Sequence, residues 1–209
     1  MIGKKVGMTQ VYDDQGRQTN VTAIEVGPCV VVQVKSEEKE GYAAAQLGFG
    51  TQKKQRVSRP ERGHTDKAGV EPVRVIKEFP LESGESVKPG DTVTAALFEG
   101  VSHVDVVGVS KGRGFQGVVR RHGFSGGRAT HGSGMHRRPG SIGMKVNPAR
   151  VHKGKKMLGQ MGNKTVTVQS LRVVQVRADE QVILVEGAVP GPPGGLITVR
   201  KAIKKVAKA

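Results

Sequence analysis

Tryptophan is absent from the 209 residues, and aromatic side chains of all kinds make up 3% of them. Binders of single-stranded nucleic acid that stack bases on an RRM or OB sheet need more such platforms, so that class is poorly supported. Cysteine occurs once, at Cys29, which excludes a disulfide framework and any cysteine-based zinc site and fits a reducing cytosol. No stretch reaches the apolar length of a membrane span. The opening MIGKKVGMTQ carries charge but no apolar h-region after it, so no secretion signal is expected.

The most telling scarcity is of negative charge. Between Asp105 and Asp179 lie 73 residues without one carboxylate, where even spreading would leave about six. The same window holds fifteen Lys and Arg, whereas the rest of the chain balances 19 basic against 18 acidic residues. Nearly all of the net +16 therefore sits in one continuous piece. Such an excess destabilises a compact state by self-repulsion unless a polyanion neutralises it. Nucleic acid is the leading partner, and an anionic membrane surface comes second.

Around that piece the pattern is β. GKKVGMTQVYDDQGRQTNVTAIEV predicts a hairpin about the DDQG turn. Short strands are expected at Cys29 to Lys35, within YAAAQLGFG, and at Val73 to Phe79, Thr92 to Phe98 and His103 to Ser110. They resume with TVTVQSLRVVQV, VILVEG and LITVRK. Many short strands with frequent turns favour a closed barrel over βαβ units. One short helix is expected near Pro60 and another in FQGVVRRHGF, with Val118 and Val119 packed and Arg120 and Arg121 exposed. The tail KAIKKVAKA is expected to fray.

Residues Lys111 to Lys156 contain twelve Lys or Arg, eleven Gly and four His. The stretch GGRATHGSGMHRRPGSIG, Gly126 to Gly143, offers almost nothing apolar for a core. A long segment without its own core is normally disordered or functional. Arg supplies planar forks for phosphate oxygens, and Gly lets the backbone approach a ligand closely. The organisation expected is a discontinuous barrel domain, 1–110 with 157–209, and a basic extension, 111–156, that orders against folded RNA.

Rival chemistries fare worse. GRGFQG at Gly112 to Gly117 matches the dinucleotide fingerprint G-x-G-x-x-G, but the acid wanted about 20 residues on is missing. His131, His136 and His152 have no Cys or carboxylate near them in sequence to complete a metal site, and local positive charge opposes a dication. No acid is at hand to orient a histidine as a general base. Neither catalysis nor a cofactor, metal or small-molecule substrate is expected. A promiscuous RNA chaperone is the runner-up reading.

Several motifs then occur in a familiar order: GKKVGMTQVY, FEGVSHVDVVGVSKGRGFQGVVRR, THGS, HRRPGSIG, KGKKMLGQMGN, VTVQSL and GAVPG. Together they resemble the bacterial large-subunit ribosomal protein three family across essentially the whole chain. The resemblance implies a translation-protein-like β-barrel with a long irregular extension. It also implies direct binding of large-subunit ribosomal RNA near its 3′ end, a part in nucleating subunit assembly, and a cytoplasmic place in the ribosome. The neighbours it implies are large-subunit proteins fourteen and nineteen, with the extension reaching toward the peptidyl transferase centre. One departure is Met144, where some relatives carry a glutamine that becomes methylated. Charge and family position together make Lys111, Arg113, Arg120, Arg121, Arg128, His131, His136, Arg137, Arg138, Lys145, Arg150, Lys153, Lys155 and Lys156 the expected RNA contacts, with Lys4 and Lys5 on the barrel.

Overall fold

The structure, a computed structural model, describes residues 1–81 and 87–205. In chain order the strands are β1 (Ile2–Tyr12), β2 (Gln18–Val26), β3 (Cys29–Lys35), β4 (Ala44–Thr51), β5 (Val73–Pro80) and β6 (Thr92–Val93). They continue as β7 (His103–Val109), β8 (Phe115–Gln116), β9 (Gly159–Gln160), β10 (Thr165–Arg177), β11 (Val182–Glu186) and β12 (Leu196–Lys201). Among the described residues the α-helices are α1 (Glu37–Glu40), α2 (Arg59–Lys67) and α3 (Val118–His122). The chain divides into two units, Met1–Val109 with Thr165–Ala209, and Ser110–Lys164.

The first unit is built on a closed antiparallel barrel in the order β1-β12-β7-β10-β11-β2, with a four-stranded sheet, β5-β4-β3-β6. Mainly β architecture around a barrel is what the strand pattern predicts. The β1–β2 hairpin forms about the expected turn, where Asp13 Oδ1 accepts the Gln15 and Arg17 amides at 3.0 and 2.7 Å. Alternation drives closure: Ile24, Val26, Val104, Val106, Ile183, Val185, Ile197 and Val199 are all fully buried in one cluster, with Phe98 the largest member. Val31, Ala45 and Leu47 of β3 and β4 join the same cluster, so barrel and sheet share one core.

Bulges bend the strands enough to close the ring. The register of β10 shifts between Val168 and Leu171, where Ser170 adopts φ 57°. The freed Ser170 amide donates to Asp105 Oδ1 at 2.8 Å. Asp105 is buried, and its second oxygen lies 3.6 Å from the Arg200 guanidinium. A carboxylate in the barrel wall thus serves a backbone donor at the bulge.

Three expectations need correction. Thr92 to Phe98 is a strand only over Thr92–Val93; Ala95–Phe98 forms a 3-10 turn, because Ala95 and Phe98, three apart, both enter the core while Leu97 faces out. Helix α1 was not anticipated; it ends on Gly41 in the left-handed region at φ 81°. The tail does not fray from its start. Lys201 ends β12, and Ala202 is buried and donates its amide to His103 O at 3.1 Å. Residues 206–209 lie outside the described part.

The sheet carries a polar network. Lys35 pairs with Glu78 at 2.6 Å, Tyr42 donates to Glu78 at 2.9 Å, and Gln46 donates to its other oxygen at 2.9 Å. His64 of α2 meets Gln46 Oε1 at 2.8 Å, so the network reaches α2. The hydrogen bond from Lys35, then those from Gln46 and Tyr42, hold the Glu78 carboxyl down to about 2. A depressed carboxylate stabilises the fold fully above its ordinary value of 4.5 and loses that contribution as pH falls toward about 2. The gain is modest because the pair is partly exposed. Carboxyl-carbon NMR is expected to find the Glu78 midpoint near 2, and a midpoint near 4.5 would mean the network does not form in solution.

Candidate nucleic-acid interface

The second unit begins and ends on a short two-stranded stem. Ser110 N–H donates to Lys164 O at 2.9 Å and Asn163 N–H to Ser110 O at 3.1 Å. Arg113 N–H donates to Met161 O, and Met161 N–H to Gly114 O, both at 2.9 Å. Strands β8 and β9 then pair Phe115 with Gln160 and Gln116 with Gly159. Residues 157–164, expected on the barrel side, therefore fall in this unit. Gly162 sits at φ 74°, and a Cβ there would run into Lys111 O, so the stem closes as only glycine permits.

Helix α3 follows, stopped by Gly123 at φ 73°. Val118 is its buried residue, while Val119 is half-buried and Arg120 exposed. Arg121, expected to be exposed, is half-buried: its Nη1 donates to Met157 O at 2.6 Å, and His122 Nε2 meets the same oxygen at 2.9 Å. This corrects the charge-based reading. Arg121 ties α3 to the returning strand instead of presenting its full fork. The fingerprint GRGFQG likewise opens a five-residue helix, too short to cradle a dinucleotide pyrophosphate as a Rossmann helix does.

From Ser125 to Lys156 no regular element forms. The backbone turns through left-handed positions at Gly126, His131, Gly132, His136, Gly140, Ala149 and Gly154. On this path Arg128, His131, His136, Arg137, Arg138, Lys145, Arg150, Lys153, Lys155 and Lys156 are all exposed, as are Lys111 and Arg113 on the stem. The unit holds thirteen Lys and Arg and no acid. Among the described residues the ion pairs are Lys35–Glu78, Arg172–Glu186, Arg177–Glu180 and Arg200–Asp105, none within Ser110–Lys164. Like charges without counter-charges raise the local potential by several kT and favour an external anion.

On the barrel, Lys4 is exposed but Lys5 is not. Lys5 is 7% exposed, and its ammonium donates to Val189 O at 2.8 Å and Gly191 O at 3.3 Å. Its backbone is paired as well: Lys5 N–H donates to Gly195 O and Gly194 N–H to Lys5 O. The expected RNA contact is instead an internal clamp on the Gly187 to Gly195 loop. Among the described residues no group of three His, Cys, Asp or Glu is arranged to hold a metal, and no helix is long and apolar enough to cross a membrane.

A closed barrel joined to a carboxylate-free unit of unpaired cations is the build of a structural protein that takes its counter-charge from a polyanion. The family model for ribosomal protein L3 matches residues 75–182. The large ribosomal subunit protein uL3 of Heliobacterium modesticaldum is 50% identical over 204 residues, covering 98% of this chain and 97% of the relative. The uL3 of Syntrophotalea carbinolica is 52% identical over 205 residues, 98% of each, and that of Pelotomaculum thermopropionicum is 50% identical over 204. The chain belongs to the ribosomal protein L3 family. It is a structural constituent of the large ribosomal subunit, in the cytoplasm, and not an enzyme.

Proposed function

We propose that the chain binds large-subunit ribosomal RNA directly, near its 3′ end, and helps to nucleate subunit assembly. In this reading residues 111–156 are an RNA-penetrating extension that reaches toward the peptidyl transferase centre, and the barrel is the anchored domain that neighbours large-subunit proteins fourteen and nineteen. The observation that carries it is the unit Ser110–Lys164, with thirteen Lys and Arg, no acid and, among the described residues, no ion pair. RNA phosphates supply the counter-charge, and the exposed guanidinium forks of Arg128, Arg137 and Arg138 suit them. His131 and His136 serve as hydrogen-bond donors beside those phosphates.

Crosslinking in a lysate followed by sequencing of the attached RNA tests the assignment. Crosslinks concentrated on a few large-subunit RNA sites, through peptides of residues 111–156, are expected. Crosslinks scattered over messenger and other RNAs would replace this reading with that of a promiscuous chaperone.

A further inference from the structure

The second unit contains a concavity of about 360 Å³ between Phe124–Gly127 and Met135–Pro139. We propose that it receives a single unstacked nucleobase of the RNA that the extension binds, a refinement that rests on the RNA-binding reading above. Its lining includes Phe124, Met135, Arg138 and Pro139, together with Gly126 and Gly127. Aromatic and apolar side chains offer a base the surfaces on which extruded bases stack, and arginine offers a charge for the phosphate attached to it. No carboxylate occurs anywhere in the unit to repel that phosphate.

The concavity is held by the chain's own bonds. Gly127 N–H donates to His136 O at 2.7 Å, and Arg138 N–H to Met135 O at 2.8 Å. A Cβ on Gly126 would sit 2.5 Å from His136 O, and one on Gly127 would sit 2.8 Å from the Met135 Cβ. Two glycines in succession therefore let the segments approach to this distance, and larger residues would push them apart. Phe124 is half-buried, whereas Phe115, the unit's other aromatic, is 69% exposed. The scarcity of aromatics argues against a stacking platform but leaves room for one slot. Such a slot gives an otherwise shape-reading arm a fixed register on its RNA, because a single extruded base can enter it.

Large subunits carrying the wild-type chain, Phe124→Leu or Arg138→Gln test the slot. Irradiation at short ultraviolet wavelength is expected to link the Phe124 peptide of the wild type to one nucleotide. With Phe124→Leu that adduct should fall at least about tenfold, and one ribosomal RNA base should become severalfold more reactive to base-modifying reagents such as dimethyl sulfate or a carbodiimide. With Arg138→Gln the adduct should persist, weakened, at the same nucleotide. Adducts on the Lys- and Arg-bearing peptides of the unit, with none at Phe124 and unchanged base reactivity in Phe124→Leu, would overturn the slot and leave RNA binding standing. No adduct anywhere in residues 110–164 would overturn both.

Discussion

Replacing residues 111–163 by a two-residue Asn-Gly turn is expected to leave a folded barrel that no longer supports large-subunit assembly. Ser110 and Lys164 already face each other across hydrogen bonds at 2.9 Å for the amide and 3.1 Å for the Ser110 hydroxyl, a geometry that a tight hairpin turn can close. The barrel keeps its β7–β10 register from Thr165↔Val109 to Arg172↔His103. Every residue of the core cluster lies outside the deleted segment, and the single buried hydrophobic residue lost is Val118. Closing a short turn also costs less chain entropy than closing a long loop. The melting temperature should hold or rise. Twelve of the sixteen net positive charges leave with the segment, so the counter-charge that RNA takes from this chain largely disappears. Sedimentation of cell extracts reads the second half of the prediction: precursor particles should replace mature large subunits. An unfolded barrel would refute the division into two units, and a normal subunit profile would remove the extension from assembly.

What the sequence made legible follows from which forces act locally. Strand alternation and turn chemistry are local, so Cys29–Lys35 and the Asp13 turn were readable without tertiary information. The carboxylate gap was readable because charge composition needs no geometry at all. Side-chain destinations were not. Lys5 carries the same charge as Lys4, and nothing beside it in the chain announces that its acceptors, Val189 O and Gly191 O, arrive 184 and 186 residues later. The only local hint is its alternation with Gly3, which is also buried, just before the register shift between Lys5 and Gly7. Arg121 misled for a similar reason: its charge placed it outward, while Met157 O, 36 residues on, drew it in. The concavity at Phe124 was hidden because its two sides are separated by a loop whose path depends on left-handed turns at Gly126, His131 and Gly132. Charge thus marks out the candidate interface, but deciding which cations serve the fold required the pairing of distant backbone groups.

That division between internal and outward-facing cations sets the largest solution effect. Of the thirteen Lys and Arg in Ser110–Lys164, all but Arg121 are exposed, and none meets a carboxylate among the described residues. If about ten of them neutralise phosphates, counterion release gives a log–log salt slope of roughly −7 to −9 for binding to a large-subunit RNA fragment. Affinity should then fall by about 10⁴ to 10⁵ between 50 and 200 mM salt. Substituting Arg137 and Arg138 together by Gln should shallow the slope by roughly 1.4 to 1.8, because each removes one counterion-releasing contact. Lys5→Gln should leave the slope unchanged while loosening the Gly187 to Gly195 loop, since its ammonium is spent on backbone carbonyls. Fluorescence anisotropy at several salt concentrations separates these cases. A slope shallower than about −3 in the intact chain would mean that most of these cations face solvent in the complex. A Lys5 variant that shifts the slope as much as the arginine pair would mean that the clamp opens when RNA binds. Either result would relocate the interface, because salt dependence follows the cations that the fold leaves without an internal partner.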